Sequence, residues 1–248
     1  MKKIKFLTIS VLPIMWTAYF LFEIFTGRVT DANTILGNIA LIILFAIVGY
    51  LIYILSQRYP NGLLYNSILK LFLLLMLIDQ GIKIIIKYFF FNNYFEVIAG
   101  FLSFNPIINT DGSWLNARFG TNVSFTFLIA LNICALFLFL EIYRYRISKS
   151  NHDFWTDMCF LFTFSGGLCS LIDKIFYGGS LDFIGISNLF IADIKDLYIN
   201  IGILFFVIAI YDSDYLISDE NSSLKDDIEC IKRFLRFVKT DFKSLFQK

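Results

Sequence analysis

The feature that most constrains this chain is a series of long apolar runs separated by short polar segments. Several runs reach the roughly 20 residues that a helix needs to cross the hydrocarbon core of a bilayer. Hydrophobic residues make up 58% of the chain and aromatic residues 19%, which is typical of membrane proteins. Because lipid cannot satisfy backbone polar groups, runs of this kind form helices. The sequence therefore predicts a mainly α, polytopic membrane helix bundle.

The apolar runs predict about six transmembrane helices, at residues 5–25, 34–56, 65–91, 123–143, 154–174 and 192–212. The first run follows a basic start, as in a signal peptide. It lacks a small-x-small cleavage site and is followed at once by a second run, so we interpret it as an anchor helix. Alternating residues and turn signals in the polar stretch 92–122 predict a small β-rich segment.

The distribution of basic residues predicts the orientation. Two basic clusters would lie on one side of a six-helix bundle: Lys2, Lys3 and Lys5, and Arg144, Arg146 and Lys149. We therefore expect both termini to be cytoplasmic and residues 92–122 to face outward. The tail 213–248 carries apolar residues on one face of a basic helix. It is predicted to lie on the anionic inner leaflet or, alternatively, to pack on a partner.

Other classes of site have little support in the sequence. The formal net charge is +1, and neither a basic repeat nor a phosphate loop points to nucleic acid. The four cysteines are scattered without metal-ligand spacing, and the single histidine, His152, lies in a polar loop. We expect no metal and no organic cofactor.

Two aspartates lie where apolar runs meet a glycine-rich break. Asp182 follows Gly178 and Gly179, and Asp193 opens the last run. We expect a tight turn here, which would place both carboxylates at one membrane face. Ionisable groups at membrane depth are functional candidates, and two neighbouring carboxylates that share a proton form the acid/base pair of an aspartic peptidase. The alternatives are ordinary interfacial acids, or a pair that includes Asp173 or Asp196.

The third run contains Asp79 and Lys83, which are four residues apart and share a helix face. Their charges can neutralise one another inside the bundle. Such a pair either fixes helix packing or braces a nearby site, and the spacing does not distinguish these roles.

Five motifs in order give residues 65–212 a resemblance to bacterial lipoprotein signal peptidase, also called signal peptidase II. The matching residues are Asp79-Gln80 with Lys83 (family D-Q-x-x-K), Gly100-Phe101-Leu102 with Asn109 (G-F-L…N), Gly166-Gly167 with Leu171-Ile172-Asp173 (G-G-x-x-N-L-I-D-R), Leu181-Asp182-Phe183 (V-D-F) and Ala192-Asp193 (F-N-x-A-D).

The resemblance implies an intramembrane aspartic endopeptidase in the bacterial cytoplasmic (inner) membrane. Its substrates would be diacylglyceryl-modified prolipoproteins, cut on the amino side of the modified cysteine, and its other contacts membrane lipids. The family's catalytic aspartates carry over to Asp182 and Asp193. Substrate-binding or site-supporting roles carry over to Asp79, Lys83, Asn109, Ser170, Asp173 and Lys174.

The chain also departs from the family pattern. Ser170 stands where the family has Asn, Lys174 replaces its Arg, and Phe190 replaces the Asn of F-N-x-A-D. The family has four spans, so we expect three parts: an additional helical pair at 1–60, the four-helix domain at 61–212 and the tail at 213–248.

Other functions remain open at this stage. The changed residues are also compatible with a catalytically inactive relative that binds lipoproteins. Asp79, Lys83 and the other acids would alternatively form the proton relay of a transporter, although relays usually spread across the bilayer. A third alternative is a scaffold whose tail recruits a partner.

Overall fold

The computed structural model of the chain describes residues 2–112, 114–149, 152–212 and 224–245. Six long helices form the bundle: α1 (Lys2–Phe25), α2 (Ala32–Arg58), α3 (Tyr65–Ile85), α5 (Phe125–Ser148), α6 (Phe154–Phe176) and α7 (Ile194–Asp212). A short helix, α4 (Trp114–Phe119), precedes α5, and α8 (Leu224–Leu245) follows the bundle. The mainly α, polytopic architecture is therefore confirmed.

Five of these six helices are long and apolar enough to cross a membrane: α1, α2, α5, α6 and α7. The remaining helix, α3, corresponds to the third predicted span, 65–91, and it carries Lys70, Asp79 and Lys83. It continues into a turn of π-helix at Ile86–Phe90. Charged side chains inside such a bundle need partners in the protein, because lipid offers none.

Side-chain caps set the starts of several helices. Asp31 accepts a hydrogen bond from the Thr34 backbone N–H at the start of α2, and Asp153 does the same for Thr156 at the start of α6. Ser124 caps α5 through the backbone N–H of Phe127. A cap satisfies one of the N–H groups that a helix start leaves without an intrahelical partner.

A four-stranded antiparallel sheet lies at one end of the bundle. Its strands, in spatial as well as chain order, are β1 (Phe95–Ile98), β2 (Leu102–Asn109), β3 (Ser180–Ile186) and β4 (Phe190–Ala192). Two of the strands come from the predicted β-rich stretch. The other two form a hairpin between α6 and α7, where we expected a tight turn. Asp182 therefore lies on a strand.

Helices α6 and α7 pack closely, and this contact brings the ends of the hairpin together. A Cβ on Gly202 of α7 would lie 2.6 Å from Thr163 Oγ1, and one on Gly166 of α6 would lie 3.2 Å from the Lys195 carbonyl oxygen. Small residues allow this approach of two membrane helices. The buried apolar core around them draws on α1, α3, α6 and α7 and includes Leu12, Ile68, Leu161, Leu204, Phe205 and Ile208.

The N-terminal helices α1 and α2, with the loop between them, contact the turn of the hairpin. The Arg28 guanidinium donates to the carbonyl oxygens of Asn188 and Leu189, at 2.7 and 2.6 Å. Thr34 of α2 donates to Ser187 at 2.9 Å. These two helices and the loop between them therefore contact the segment that joins the strand of Asp182 to Asp193.

The tail helix α8 packs against the far end of α5. Arg144 forms an ion pair with Asp241, and the Tyr145 ring contacts Phe234 and Phe237. Apolar residues on α8 remain exposed, including Ile228, Ile231, Leu235 and Phe242. The predicted amphipathic helix is thus present, while residues 213–223 of the tail lie outside the described residues.

Candidate active site

Strand pairing places three polar side chains on one face of the sheet. The register pairs Asn109 of β2 with Ser180 of β3, and Ile107 with Asp182. Residues two apart on a strand share a face, as do paired residues on neighbouring strands. Asn109 Nδ2 donates to Asp182 Oδ2 at 2.9 Å, and Ser180 Oγ donates to Asp182 Oδ1 at 2.5 Å. Both oxygens of Asp182, which is 3% exposed, are therefore held.

A glycine allows β2 to end this close to β3. A Cβ on Gly179 would lie 2.6 Å from the Asn109 carbonyl oxygen, too near for any other residue without displacement. The preceding Gly178 has a φ of 66°, a conformation that residues with a side chain rarely adopt. The glycine-rich break noted in the sequence thus positions the Asn109 side chain.

Asp193 is fixed by the first turn of α7. Its Oδ1 accepts from the Asp196 N–H at 3.3 Å, and Asp196 Oδ2 accepts from the Asp193 N–H at 3.2 Å. This reciprocal arrangement is the geometry of a capping box. Asp193 is fully buried. Its Oδ1 accepts a hydrogen bond at the start of α7, and its Oδ2 can contact other groups inside the bundle.

Lys83 of α3 connects three aspartates. Its Nζ lies 2.9 Å from Asp79 Oδ2 and 2.6 Å from Oδ2 of both Asp173 and Asp193, and all four side chains are fully buried. The neighbouring Gln80 donates to Asp79 at 2.9 Å and to Asp173 at 3.2 Å. The predicted pair of Asp79 and Lys83 is present, and Lys83 extends it to Asp193.

Lys195 is a member of the cluster that the sequence analysis missed. Its Nζ lies 2.5 Å from Asp193 Oδ2, 3.4 Å from Asp173 Oδ2 and 3.7 Å from Asp182 Oδ1. It also donates to Ser180 Oγ at 2.5 Å. A lysine in the first turn of a helix opposes the helix dipole. Such a placement was therefore a signal that carboxylates surround it.

The structure places Ser170 and Lys174 differently from the other predicted residues. Lys174 Nζ donates to Ser170 Oγ at 2.6 Å, one turn back on α6. Among the ion pairs of the described residues, none joins Lys174 to an aspartate of the cluster. Six predicted residues do come together: Asp79, Lys83, Asn109, Asp173, Asp182 and Asp193.

The two aspartates at the ends of the hairpin differ in their electrostatic surroundings. Burial raises the pKa of Asp182, although Lys195 and the Ser180 hydroxyl act against it. Burial also acts to raise the pKa of Asp193, but the Lys195 and Lys83 ammonium groups outweigh it and lower that pKa below its usual range. Asp193 is thus the ionised member at a pH where Asp182 still holds its proton.

Three carboxylates lie close enough to hold a cation. One oxygen from each of Asp182, Asp193 and Asp196 lies within 4.8 Å of the others. The protein places the Lys195 ammonium next to these oxygens, 2.5 Å from Asp193 and 3.7 Å from Asp182. The chain itself therefore supplies a cation beside these carboxylates.

Comparisons with known proteins agree with this architecture. A bacterial membrane enzyme solved by the in meso method at 2.3 Å resolution matches with a TM-score of 0.52 and 22% identity, over 66% of this chain and 98% of its own. A second, at 1.9 Å resolution, matches with a TM-score of 0.50 and 22% identity, over 61% of this chain and 96% of its own. At such identities the likeness shows the fold alone. No curated protein matches the sequence.

A family model provides the more specific match. The model described as signal peptidase (SPase) II covers residues 71–212. This range includes the hairpin, Lys83, Asn109 and Asp173, and it leaves α1 and α2 outside. Since the match spans more than half of the 248 residues, the chain belongs to the signal peptidase II family.

Proposed function

We propose that the chain is an intramembrane aspartic endopeptidase that removes the signal peptide from diacylglyceryl-modified prolipoproteins. Membership of the signal peptidase II family supports lipoproteins as the substrate class. The observation that carries the catalytic assignment is the approach of the buried Asp182 and Asp193 carboxylates to within 4.8 Å, in unequal surroundings. A pair whose environments separate its pKa values divides the roles of acid and base.

In the proposed mechanism, Asp193 is the base and Asp182 the acid. Asp193 takes a proton from water as the water oxygen bonds to the scissile carbonyl carbon. Asp182 polarises the carbonyl oxygen and gives its proton to the leaving amine as the C–N bond breaks. The proton held by Asp193 then passes to Asp182, which restores one shared proton. The products are a free signal peptide and a lipoprotein with a modified cysteine at its start.

The proposed orientation follows from the alternating direction of the six long helices. Arg28, just after the end of α1, contacts the turn of the hairpin, so the Lys2 end of that helix lies at the opposite end of the bundle. The basic residues Arg144 and Arg146 close α5 at that same end. By the positive-inside tendency, both termini are then cytoplasmic and the aspartate pair lies toward the outer face of the inner membrane.

The test uses the purified full chain in lipid nanodiscs with a diacylglyceryl-modified prolipoprotein, and cleavage is followed by mass spectrometry. We expect Asp182→Asn and Asp193→Asn each to lower turnover by at least about 100-fold, the usual contribution of a general acid or base. A precursor whose cysteine is unmodified is expected to remain uncut.

Asp157→Asn provides a matched control. Asp157 is also a fully buried aspartate of the bundle, but it accepts from the Leu63 N–H at 2.6 Å and the Tyr143 hydroxyl at 3.0 Å. As long as this variant is folded, we expect it to cleave the substrate as the parent does. Undiminished turnover by either variant of the pair would contradict its assignment, and substrate binding by a parent without turnover would favour an inactive lipoprotein-binding relative.

A second mechanism is favoured by one contact, the 2.5 Å separation of Lys195 Nζ and Ser180 Oγ. Serine peptidases with a lysine base use such a pair, but the lysine must be neutral to accept the proton. Here Asp173, Asp182 and Asp193 all lie within 4.0 Å of Lys195, and nearby carboxylates favour the ammonium form.

The Ser180→Ala variant distinguishes the aspartic mechanism from the serine mechanism. The aspartic mechanism predicts retained turnover, reduced by roughly 10- to 100-fold for one lost hydrogen bond to a charged group. The serine mechanism predicts none.

The transporter alternative is less favoured by the same geometry. Asp79, Asp173, Asp182 and Asp193 gather in one cluster at the sheet end of the bundle. A proton relay needs groups distributed across the membrane. Deleting the tail from residue 213 onward tests the scaffold alternative, because a peptidase is expected to retain turnover without it.

A further inference from the structure

The position of Lys195 sets it apart from the other lysine of the cluster. Lys83 forms ion pairs with Asp79, Asp173 and Asp193. Among the ion pairs of the described residues, Lys195 alone joins both Asp182 and Asp193. Its side chain is 6% exposed, so solvent screens these contacts little.

The distances from Lys195 to the pair are unequal. Its Nζ lies 2.5 Å from Asp193 Oδ2 but 3.7 Å from Asp182 Oδ1. The attraction between opposite charges grows as their separation falls, and it grows further away from water. The ammonium therefore favours a negative charge on Asp193 more than on Asp182.

Ser180 forms the second link between Lys195 and the pair. The ammonium donates to Ser180 Oγ at 2.5 Å, which directs the hydroxyl proton of Ser180 away from Lys195. That hydroxyl donates to Asp182 Oδ1 at 2.5 Å. The orientation of the Asp182 carboxyl thus depends on Lys195 through one intervening side chain.

We propose that Lys195 is a positioning residue that assigns the single proton of the pair to Asp182, by keeping Asp193 ionised and by holding Asp182 in place through Ser180. The catalytic consequence rests on the proposed peptidase function, whereas the placement of the proton does not. Lys174, at the site of the family's Arg, turns to Ser170 instead, so the ion pairs that reach both aspartates of the pair come from Lys195.

Several charged groups face Lys195 from the elements packed around it. Asp193 and Asp196 lie beside it at the start of α7, and Asp182 faces it from β3. The remaining groups are Asp173 and Lys174 on α6, and Lys83 on α3 with its partner Asp79. Two of these groups, Lys83 and Lys174, are cations like Lys195, so a test must separate the effect of Lys195 from theirs.

The experiment titrates the two carboxyls directly and needs no substrate. The purified full chain is labelled with ¹³C at the aspartate carboxyl carbons, and the Asp182 and Asp193 signals are assigned from Asp182→Asn and Asp193→Asn. In Lys195→Met both signals are expected to titrate at higher pH than in the parent, and the signal of Asp193, the nearer carboxyl, is expected to shift more than that of Asp182. The shift is expected to be about one pH unit or more, as for loss of an opposite charge at this distance. Lys195→Arg is expected to keep the parental curve.

Lys174→Met is the matched control, since it removes a second buried lysine next to Asp173 without removing an ion pair of the cluster. Its curves for Asp182 and Asp193 are expected to stay closer to the parent than those of Lys195→Met, because among the described residues Lys174 forms no ion pair with either carboxylate. If Lys195→Met does not fold, Lys195→Gln carries the same prediction, because it keeps a donor and removes the charge. Unchanged titration in the folded uncharged variant, or an equal shift in Lys174→Met, would overturn the proposal. The two proposals can also fail separately. If Lys195→Met shifts the titration but the parent cuts no prolipoprotein, the role of Lys195 is supported and the peptidase function is contradicted.

Discussion

The ring of Phe190 on β4 packs edge-on against the ring of Tyr19 on α1, with centroids 5.4 Å apart and planes at 83°. The Trp16 ring makes a similar contact with Phe190 at 6.0 Å. Phe190 is the residue that replaces the Asn of the family's F-N-x-A-D motif. The residue that departs from the motif is therefore in direct contact with helix α1, which lies outside the range of the family match.

Replacing both rings of this contact tests its energy. Edge-to-face aromatic pairs contribute about 0.5–1.5 kcal/mol beyond the apolar area that they bury. In a double-mutant cycle of Phe190→Leu and Tyr19→Leu, we expect a coupling of that size in the free energy of unfolding. Phe176→Leu is the control, because Phe176 is 74% exposed. A coupling near zero would show that α1 merely lies beside β4.

Loss of Asn109 is expected to extend activity to higher pH. Burial is the main cause of the raised pKa of Asp182, and the hydrogen bond from Asn109 acts against it. In Asn109→Leu the pKa of Asp182 rises further, so the acid keeps its proton to higher pH. The falling limb of the pH profile of kcat/KM then moves upward, while the rising limb, set by Asp193, stays. Asp111→Asn, at an exposed position nearby, is expected to move neither limb.

Lys83→Met is expected to destabilise the bundle strongly. The substitution leaves three buried carboxylates without this partner. Removing one member of a buried ion pair costs about 3–5 kcal/mol. Thermal or chemical unfolding in detergent measures the change. Lys70→Met, at an exposed position on the same helix, is expected to stay within about 0.5 kcal/mol of the parent, and equal losses in both variants would refute the prediction.

Gly179→Ala is expected to separate Asn109 from Asp182. The new methyl group would overlap the Asn109 carbonyl oxygen, so the end of β2 has to shift. Overpacking of this kind costs about 1–3 kcal/mol. At a temperature where the variant is still folded, its turnover is nevertheless expected to fall below that of the parent. Gly81→Ala is the matched control, because nothing lies within 4 Å of its added Cβ. That variant is expected to gain about 0.5–1 kcal/mol from helix propensity.

The bundle was predictable from the sequence because apolar runs of this length have few other structures available. The contact of Asp79 with Lys83 was predictable for a similar reason, since residues four apart share a helix face. Their link to Asp193 was not, because it depends on how α3 packs against the start of α7. Local spacing holds no information about that packing.

The hairpin was missed for a different physical reason. Most residues of β3 are buried on both faces of the sheet, so Leu181, Asp182 and Phe183 show no alternation of exposed and buried positions. Such a strand cannot be told from the end of a buried helix by its period. Lys195 was overlooked because a lysine near the end of an apolar run usually extends its ammonium to the membrane surface.

The capping box at Asp193 has one more consequence. Because one carboxylate oxygen is bonded to the start of α7 and the other to Lys83 and Lys195, the side chain cannot rotate without breaking contacts at both. A reacting group usually loses rotational freedom as it approaches the transition state. The Asp193 side chain has already lost that freedom during folding. Turnover at this site is expected to carry a small activation entropy, and variants that loosen the helix start are expected to slow the reaction even when Asp193 itself is intact.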